Sequence, residues 1–187
     1  MGRSEEAIAE CRCALELEPL SPGAHPILAF VYWCARRYDQ VIAQCKKTLQ
    51  LYPDFAHMHW ALGAGYLETS SFQLAISEMR LAVEHSRRAP TYLALLAETY
   101  AVAGYHDEAR QLLRDIQACS NQQYVTPYMI GRVYAALGRI DEAFGWLEAA
   151  YAEHAAWIVM LKRDPRLDKL RSDPRYHAVL QRINSPS

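Results

Sequence analysis

The stretch Tyr100-Ala-Val-Ala-Gly104-Tyr-His-Asp107-Glu108-Ala109 returns later in the chain as Tyr134-Ala-Ala-Leu-Gly138-Arg-Ile-Asp141-Glu142-Ala143. All matching residues lie 34 positions apart, and the same spacing leads back to Tyr66 and Tyr32. A fixed period of this length indicates a repeat architecture, in which each unit buries its apolar face against its neighbours. The chain is therefore predicted to be an array of similar units.

Residues 22–55 show what one unit contains. Apolar residues recur at helical spacing in 22–35 and again in 39–51, which predicts two helices. The connection between them is short enough to fold the helices back antiparallel. Pro53 ends the second helix because the residue before a proline avoids the helical region. One unit is therefore predicted to be a helical hairpin.

Small residues recur at fixed places in these hairpins. A small residue lets a neighbouring helix approach the backbone closely, and glycine there accepts a cost of about 1 kcal/mol in helix propensity. Gly104 and Gly138 are expected to end first helices, in the left-handed conformation that a helix end favours. The small residues are Ala29, Gly63, Ala97 and Gly131 on the first helices, and Ala7, Ala75, Ala109 and Ala143 on the second helices.

This pattern resembles the tetratricopeptide repeat (TPR). The last copy fits the family's order of a small residue, a tyrosine, an alanine, an apolar residue and a second alanine, with Gly131, Tyr134, Ala143, Leu147 and Ala150. The resemblance implies an all-α, right-handed superhelix of antiparallel helical hairpins with a C-terminal capping element. The expected organisation is a TPR solenoid over 1–154, with a half repeat at 2–19 and repeats at about 22–55, 56–89, 90–123 and 124–157, followed by capping helices at 155–187.

The C-terminal segment departs from the repeat. Asp164-Pro165 and Asp173-Pro174 each predict a helix start, with an acidic cap followed by proline in the first turn. Residues 157–176 also resemble the closing segment of TPR domains in large bacterial regulators. Those proteins carry the domain after a winged-helix DNA-binding domain or a serine/threonine kinase. This resemblance implies an alternative function in bacterial signal transduction, as the sensor or regulatory domain of such a regulator.

Basic residues outnumber acidic ones in the same segment. A solvated face of the cap explains them, and we favour it over a nucleic-acid patch. The residues are Lys162, Arg163, Arg166, Lys169, Arg171, Arg175 and Arg182, against Asp164, Asp168 and Asp173.

The N-terminal half repeat matches only the second helix of a hairpin. A helix whose partner is absent is expected to expose Ile8, Cys11 and Leu15 on one side, whereas solenoid ends are usually protected by a polar cap. Two interpretations compete. We favour a piece of a longer polypeptide over an oligomer contact, such as a dimer, through this helix.

The composition excludes several classes of protein. The formal net charge of −1 provides no excess of one sign for binding nucleic acid or an anionic membrane. No apolar run approaches the roughly 18 residues of a membrane span. Residues 1–6 lack the hydrophobic segment of a signal peptide. A cytoplasmic protein without membrane contact is predicted.

No motif predicts catalysis, a metal or a cofactor. His57 and His59 lie two residues apart on a helix, so their side chains diverge by about 200° and cannot share one metal ion. The paired acids Asp107-Glu108 and Asp141-Glu142 begin second helices, where negative charge favours the helix dipole. No zinc, metalloprotease or phosphate-loop motif is present. The chain is not expected to be an enzyme.

The inner wall of the array is the remaining candidate site. In the family that this chain resembles, first helices line the concave side, and a protein or peptide binds there. Large aromatic side chains are typical anchors for a partner, although Trp33 or Trp60 could simply fill the inner wall. The lysine and asparagine clamp of chaperone-binding members is missing, so a chaperone tail is not the expected ligand. The groove positions carried over from the family give the candidate contacts Phe30, Trp33, His57, Trp60, Glu68, Glu98, Tyr128 and Arg132.

Overall fold

A computed structural model describes residues 2–118 and 124–184. Throughout those residues the secondary structure is helical and contains no β-strand, which confirms the predicted all-α class. The predicted end of repeat 90–123 and the last residues of the predicted cap lie outside the described residues. The chain divides into two compact units, unit 1 (Met1–Arg88) and unit 2 (Ala89–Ser187).

Unit 1 contains an N-terminal helix and two helical hairpins. The hairpins are α2 with α3 and α4 with α5, and the first helices α2 and α4 also touch each other. The N-terminal helix α1 packs against α2. The helices are α1 (Gly2–Leu17), α2 (Ala24–Cys34), α3 (Tyr38–Leu51), α4 (Ala56–Glu68) and α5 (Phe72–His85).

Unit 2 repeats the hairpin and then changes. Its hairpins are α6 with α7 and α8 with α9, and its first helices α6 and α8 lie side by side. Two short 3-10 helices and a final α-helix follow. The elements are α6 (Pro90–Val102), α7 (His106–Ala118), α8 (Pro127–Ala136), α9 (Ile140–Ala152), the 3-10 helices Ala156–Met160 and Pro165–Leu170, and α10 (Pro174–Asn184).

The hairpins close where small residues face one another, as the sequence predicts. A β-carbon added to Gly63 on α4 would lie 3.1 Å from the carbonyl oxygen of Ala75 on α5. In unit 2, one added to Gly131 on α8 would lie 3.3 Å from the carbonyl oxygen of Ala143 on α9. Ala75 and Ala143 are themselves fully buried. The two helices of each hairpin therefore approach at backbone distance.

The turns inside the hairpins share one backbone conformation. Gly104 and Gly138 have φ angles of +89° and +74°, so the predicted left-handed residues are confirmed. At the equivalent positions of unit 1, Arg36 and Ser70 adopt the same region, each with φ of +59°. The turn therefore keeps its geometry where the sequence has no glycine, at a cost in backbone energy.

The C-terminal segment covers the last hairpin of unit 2. The 3-10 helix Pro165–Leu170 packs against α8, and α10 packs against α9. Asp164 accepts a hydrogen bond from the backbone N–H of Arg166, and Asp173 accepts one from that of Arg175, both at 2.9 Å. Both predicted helix starts are therefore confirmed. The boundary between solenoid and cap at residue 154 stays a prediction.

Helix α1 is less exposed than its sequence suggests. Ile8 is only 3% exposed in the helix that packs against α2, so the expected exposure of this side chain is wrong. Cys11 and Leu15 are partly exposed, as expected. An oligomer contact through α1 stays a prediction.

Candidate interaction surface

The predicted contact residues all lie on the first helices of hairpins. In each unit these helices pack side by side. In unit 2 this brings Glu98 and Arg132 into contact, and in unit 1 it places the predicted residues on two neighbouring helices. The residues of unit 1 are Phe30 and Trp33 on α2, and His57, Trp60 and Glu68 on α4. The residues of unit 2 are Glu98 on α6, and Tyr128 and Arg132 on α8.

The face of unit 1 is aromatic. Phe30 and Trp33 stack with ring centroids 6.2 Å apart and planes 20° apart. His57 meets Trp60 edge to face, with centroids 4.7 Å apart. Phe30 and His57 are partly exposed, whereas Trp33 and Trp60 are only 7% and 9% exposed. In each of the two ring pairs the tryptophan is therefore the buried member, and Phe30 or His57 is the more exposed one.

The same face carries little positive charge. Burial lowers the pKa of His57, which favours the neutral ring near pH 7. Glu68, the last residue of α4, is partly exposed. The indole N–H of Trp33 is buried and makes no hydrogen bond to any residue that the structure describes. Buried polar groups normally have a hydrogen-bond partner, so packing alone does not explain why this donor is buried without one.

The three predicted contacts of unit 2 meet in one buried cluster. Arg132 donates two hydrogen bonds to the carboxylate of Glu98, from Nε at 2.9 Å and from Nη2 at 2.6 Å. Asp164, from the segment after α9, joins them: its Oδ2 lies 3.5 Å from Arg132 Nε and accepts a hydrogen bond of 2.8 Å from Tyr128 Oη. The cluster thus ties α6, α8 and the C-terminal segment together.

Burial dominates the electrostatics of this cluster. The four residues are at most 5% exposed. Burial alone lowers the pKa of Arg132, but the charges of Asp164 and Glu98 outweigh it and raise that pKa overall. Burial, and then the charge of Asp164, raises the pKa of Tyr128 well above its usual value. The guanidinium therefore stays charged and the phenol stays protonated.

The cluster leaves Glu98, Tyr128 and Arg132 almost no surface for a partner in this structure. Their polar groups are occupied within unit 2, so the structure assigns them a role in holding the unit together. Their contact with a partner stays a prediction.

The sequence contains a signal for one half of this cluster. Glu98 and Arg132 lie 34 residues apart, so opposite charges occupy the same place on adjacent first helices and face each other. For Asp164 the sequence indicates only a helix cap, because this residue lies outside the repeat and no period relates it to α8.

Neither a membrane-spanning helix nor a metal site is found within residues 2–118 and 124–184. No helix in these residues combines the length and the apolar character needed to cross a lipid bilayer. Within the same residues, no group of three or more histidine, cysteine or acidic side chains is arranged to hold a metal ion.

A comparison with solved structures identifies the architecture. The crystal structure of a thermophilic TPR protein from Thermus thermophilus superposes with a TM-score of 0.66 and 21% sequence identity, and the match covers 96% of this chain and 92% of that one. The chain has the TPR fold. No family model matches the sequence, and no curated protein does either. Solenoids such as the TPR fold characteristically offer extended binding surfaces.

Proposed function

We propose that the chain is a non-catalytic protein-interaction module that binds a peptide or helix of a partner protein on the face formed by α2 and α4. The observation that carries the proposal is the aromatic surface of unit 1, where Phe30, Trp33, His57 and Trp60 lie on two adjacent first helices. In solenoids of this type, such surfaces are where partners bind.

The chemistry of the face suits an apolar segment of a partner. Aromatic side chains supply large contact area at low cost in conformational entropy, and they dominate binding energy in many interfaces. Phe30 and His57 are the more exposed members of the two ring pairs, and each contacts a buried tryptophan. The unpaired indole N–H of Trp33 adds a hydrogen-bond donor that a small rearrangement could offer to a peptide carbonyl.

The inner face of unit 2 differs in a way that supports this choice. There the equivalent helices α6 and α8 direct Glu98, Tyr128 and Arg132 into contact with Asp164 of the same chain. We therefore propose that partner binding depends mainly on unit 1.

The test uses the full chain and a defined probe. A phage-displayed library of random peptides is selected on the wild-type chain, and the affinity of the best synthetic peptide is measured by calorimetry. The double variant Phe30→Ala with His57→Ala should weaken binding at least about tenfold, which corresponds to about 1.4 kcal/mol. The control Val159→Ala changes a side chain of unit 2 that is 65% exposed and should bind like the wild type.

Two results would overturn the proposal. One is a selected peptide whose affinity is the same for the double variant and the wild type. The other is equal weakening by the Val159 control. Circular dichroism spectra identical to that of the wild type are required of both variants, so that loss of fold does not imitate loss of a contact.

A second candidate function rests on the C-terminal segment. The resemblance of residues 157–176 to the closing segment of TPR domains in bacterial regulators favours a sensor or regulatory domain of such a protein, acting in the cytoplasm. The genomic sequence upstream of the codon for Met1 tests it. An in-frame winged-helix or kinase domain supports this candidate, and a stop codon directly upstream contradicts it.

An oligomer contact through α1 is a separate hypothesis. Leu17 at the end of α1 is 78% exposed, and Cys11 and Leu15 are partly exposed. Sedimentation velocity over a range of concentrations would test it. A single monomeric species at every concentration removes the hypothesis.

A further inference from the structure

Two histidines occupy the same place in consecutive repeats of unit 1. His25 lies near the start of α2 and His59 near the start of α4, and the two are 34 residues apart. Both are buried. Each ring reaches back to the carbonyl of a proline before its helix and across to a side chain of the following second helix. The side-chain partner is the amide of Gln44 for His25 and the carboxylate of Glu78 for His59, and this difference has a chemical consequence.

The hydrogen bonds of His25 are complete with a neutral ring. Its Nε2 lies 3.0 Å from the carbonyl oxygen of Pro19, which can only accept, so Nε2 carries the hydrogen. Its Nδ1 lies 2.9 Å from the amide nitrogen of Gln44, which can only donate, so Nδ1 accepts. One proton on the ring satisfies both partners.

The partners of His59 both accept hydrogen bonds. Its Nε2 lies 2.7 Å from the carbonyl oxygen of Pro53. Its Nδ1 lies 2.7 Å from Oε2 of Glu78 on α5. A neutral ring that donates from Nε2 would turn the lone pair of Nδ1 toward an ionised carboxylate, which is repulsive. The contact is satisfied only when one further proton lies between Nδ1 and Oε2.

The surrounding charged and titratable groups do not replace that proton. From α5, His85 stacks on His59 with ring centroids 5.2 Å apart. From the preceding turn, Asp54 lies 3.7 Å from Nδ1 of His85, and its side chain is 88% exposed, so water screens its charge. From α3, Cys45 is neutral, because burial and then the charge of Glu78 raise the pKa of its thiol. Glu78 remains the group that contacts Nδ1.

We infer that His59 and Glu78 form a shared proton-binding site between α4 and α5, and that this site makes the packing of unit 1 depend on pH. The equivalent pair, His25 and Gln44, needs no such proton and lacks this dependence. The two consecutive repeats thus supply a proton-dependent contact and its internal control.

The direction of the pH effect follows from proton counting. In an unfolded chain, a histidine and a glutamate have pKa values of about 6.5 and 4.3, so above about pH 8 they bind almost no proton. In the folded chain, the 2.7 Å contact between Nδ1 and Oε2 is a hydrogen bond only while a proton lies between the two atoms. The inferred site therefore stabilises the folded unit where that proton is available, and its contribution to stability is lost as the pH rises above the unfolded histidine pKa.

The first test compares the wild-type full chain with Glu78→Gln. The amide of glutamine can donate to Nδ1, so the variant should adopt the hydrogen bonds of His25 and stay folded. Between about pH 6 and pH 8, hydrogen exchange of the α4 and α5 amides should accelerate more steeply in the wild type than in the variant, by up to about tenfold per pH unit for one proton, after correction for intrinsic exchange. Equal slopes would overturn the inference.

Nitrogen-15 NMR of the histidine rings provides the second test. In the wild type near pH 6, His59 should show protons on both nitrogens, or one shared with Glu78, while His25 keeps one bare nitrogen. In Glu78→Gln, His59 should acquire the spectrum of His25. A bare Nδ1 on His59 of the wild type at that pH contradicts the inference.

The reciprocal variant guards against a folding defect. Gln44→Glu places a carboxylate against His25 and should create a second proton site, with a second nitrogen-bound proton on that ring and a steeper pH slope in exchange of the α2 and α3 amides. If Glu78→Gln does not fold, this variant decides the inference, and an unchanged His25 spectrum refutes it.

Discussion

Tyr128 donates a hydrogen bond to Asp164 across 36 residues of the chain, and both side chains are buried. The bond joins a first helix of the repeat to a segment that no longer follows the repeat. Arg132 stands between Asp164 and Glu98 as the cation of the cluster. Two carboxylates thus share one guanidinium, Asp164 also accepts from the phenol, and the arrangement depends on Arg132.

Replacing Arg132 with methionine should strongly destabilise unit 2. The substitution leaves Glu98 and Asp164 buried without a cation, and breaking a buried ion pair in this way typically costs about 3–5 kcal/mol. Chemical denaturation followed by circular dichroism measures the loss. The matched control is Arg110→Met on α7, whose ion pair with Asp107 is exposed and should contribute at most about 1 kcal/mol. Equal losses for the two variants would show that the buried cluster is not a special source of stability.

Glycine in the turn of the second hairpin of unit 1 should increase the stability of the chain. Ser70 has φ of +59°, a conformation that costs a residue with a side chain about 1–2 kcal/mol. Ser70→Gly relieves this cost but adds roughly 0.5–1 kcal/mol of chain entropy, so a gain of up to about 1 kcal/mol is expected. Thermal unfolding should shift upward by roughly 2–4 °C per kcal/mol gained.

The opposite substitution serves as its control. Gly104 has φ of +89°, and a β-carbon there would meet no atom within 4 Å, so only the backbone conformation opposes a side chain. Gly104→Ala should therefore lower stability by about 1 kcal/mol, since the conformational cost exceeds the entropic gain. A stabilised Gly104→Ala chain would contradict the explanation of both turns.

The close approach of α4 and α5 can be tested at Gly63. A β-carbon there would lie 3.1 Å from a backbone carbonyl oxygen, and backbone cannot move aside as a flexible side chain can. Gly63→Val should therefore cost about 1–3 kcal/mol through overpacking. A β-carbon added to Gly145 on α9 would meet no atom within 4 Å, so Gly145→Val should be neutral or slightly stabilising. Denaturation midpoints of the two variants compare them directly, and a tolerated Gly63→Val would contradict the packing argument.

The period of 34 makes the hairpins predictable, because each repeated residue has the same neighbours in each copy. The small residues, the left-handed glycines and the helical class follow from it. The conformation of Ser70 is not predictable in this way because it is imposed by the hairpin, whereas sequence patterns detect such turns by their glycines. The near-complete burial of Trp33 and Trp60 does not follow from the period either, because spacing places a side chain on a face without saying how deeply it lies.

The candidate site is less predictable where the chain leaves its period. Asp164 reaches Tyr128 and Arg132 through a segment of two 3-10 helices, and no spacing rule relates its position to α8. The difference between His25 and His59 does follow the period, since Gln44 and Glu78 also lie 34 residues apart, but the sequence alone does not show that these side chains contact the histidines. Their rings are equivalent, and only the contacts with Gln44 and Glu78 separate them.

The thiols of unit 1 should differ in reactivity according to their burial. Cys45 is fully buried, and burial followed by the charge of Glu78 raises the pKa of its thiol, whereas Cys13 is exposed. Because the thiolate is the nucleophile, an alkylating reagent near pH 8 should modify Cys13 quickly and Cys45 only after unfolding, with mass spectrometry of the digested chain identifying each site.

The buried thiol of Cys45 should also make stability depend on pH. Since this thiol keeps its proton in the folded chain above the unfolded pKa of about 8.5, its contribution to stability is present below that pH and is lost as the pH rises further. Cys45→Ala should remove this part of the alkaline loss, and rapid labelling of Cys45 in the folded chain would contradict its burial between the helices.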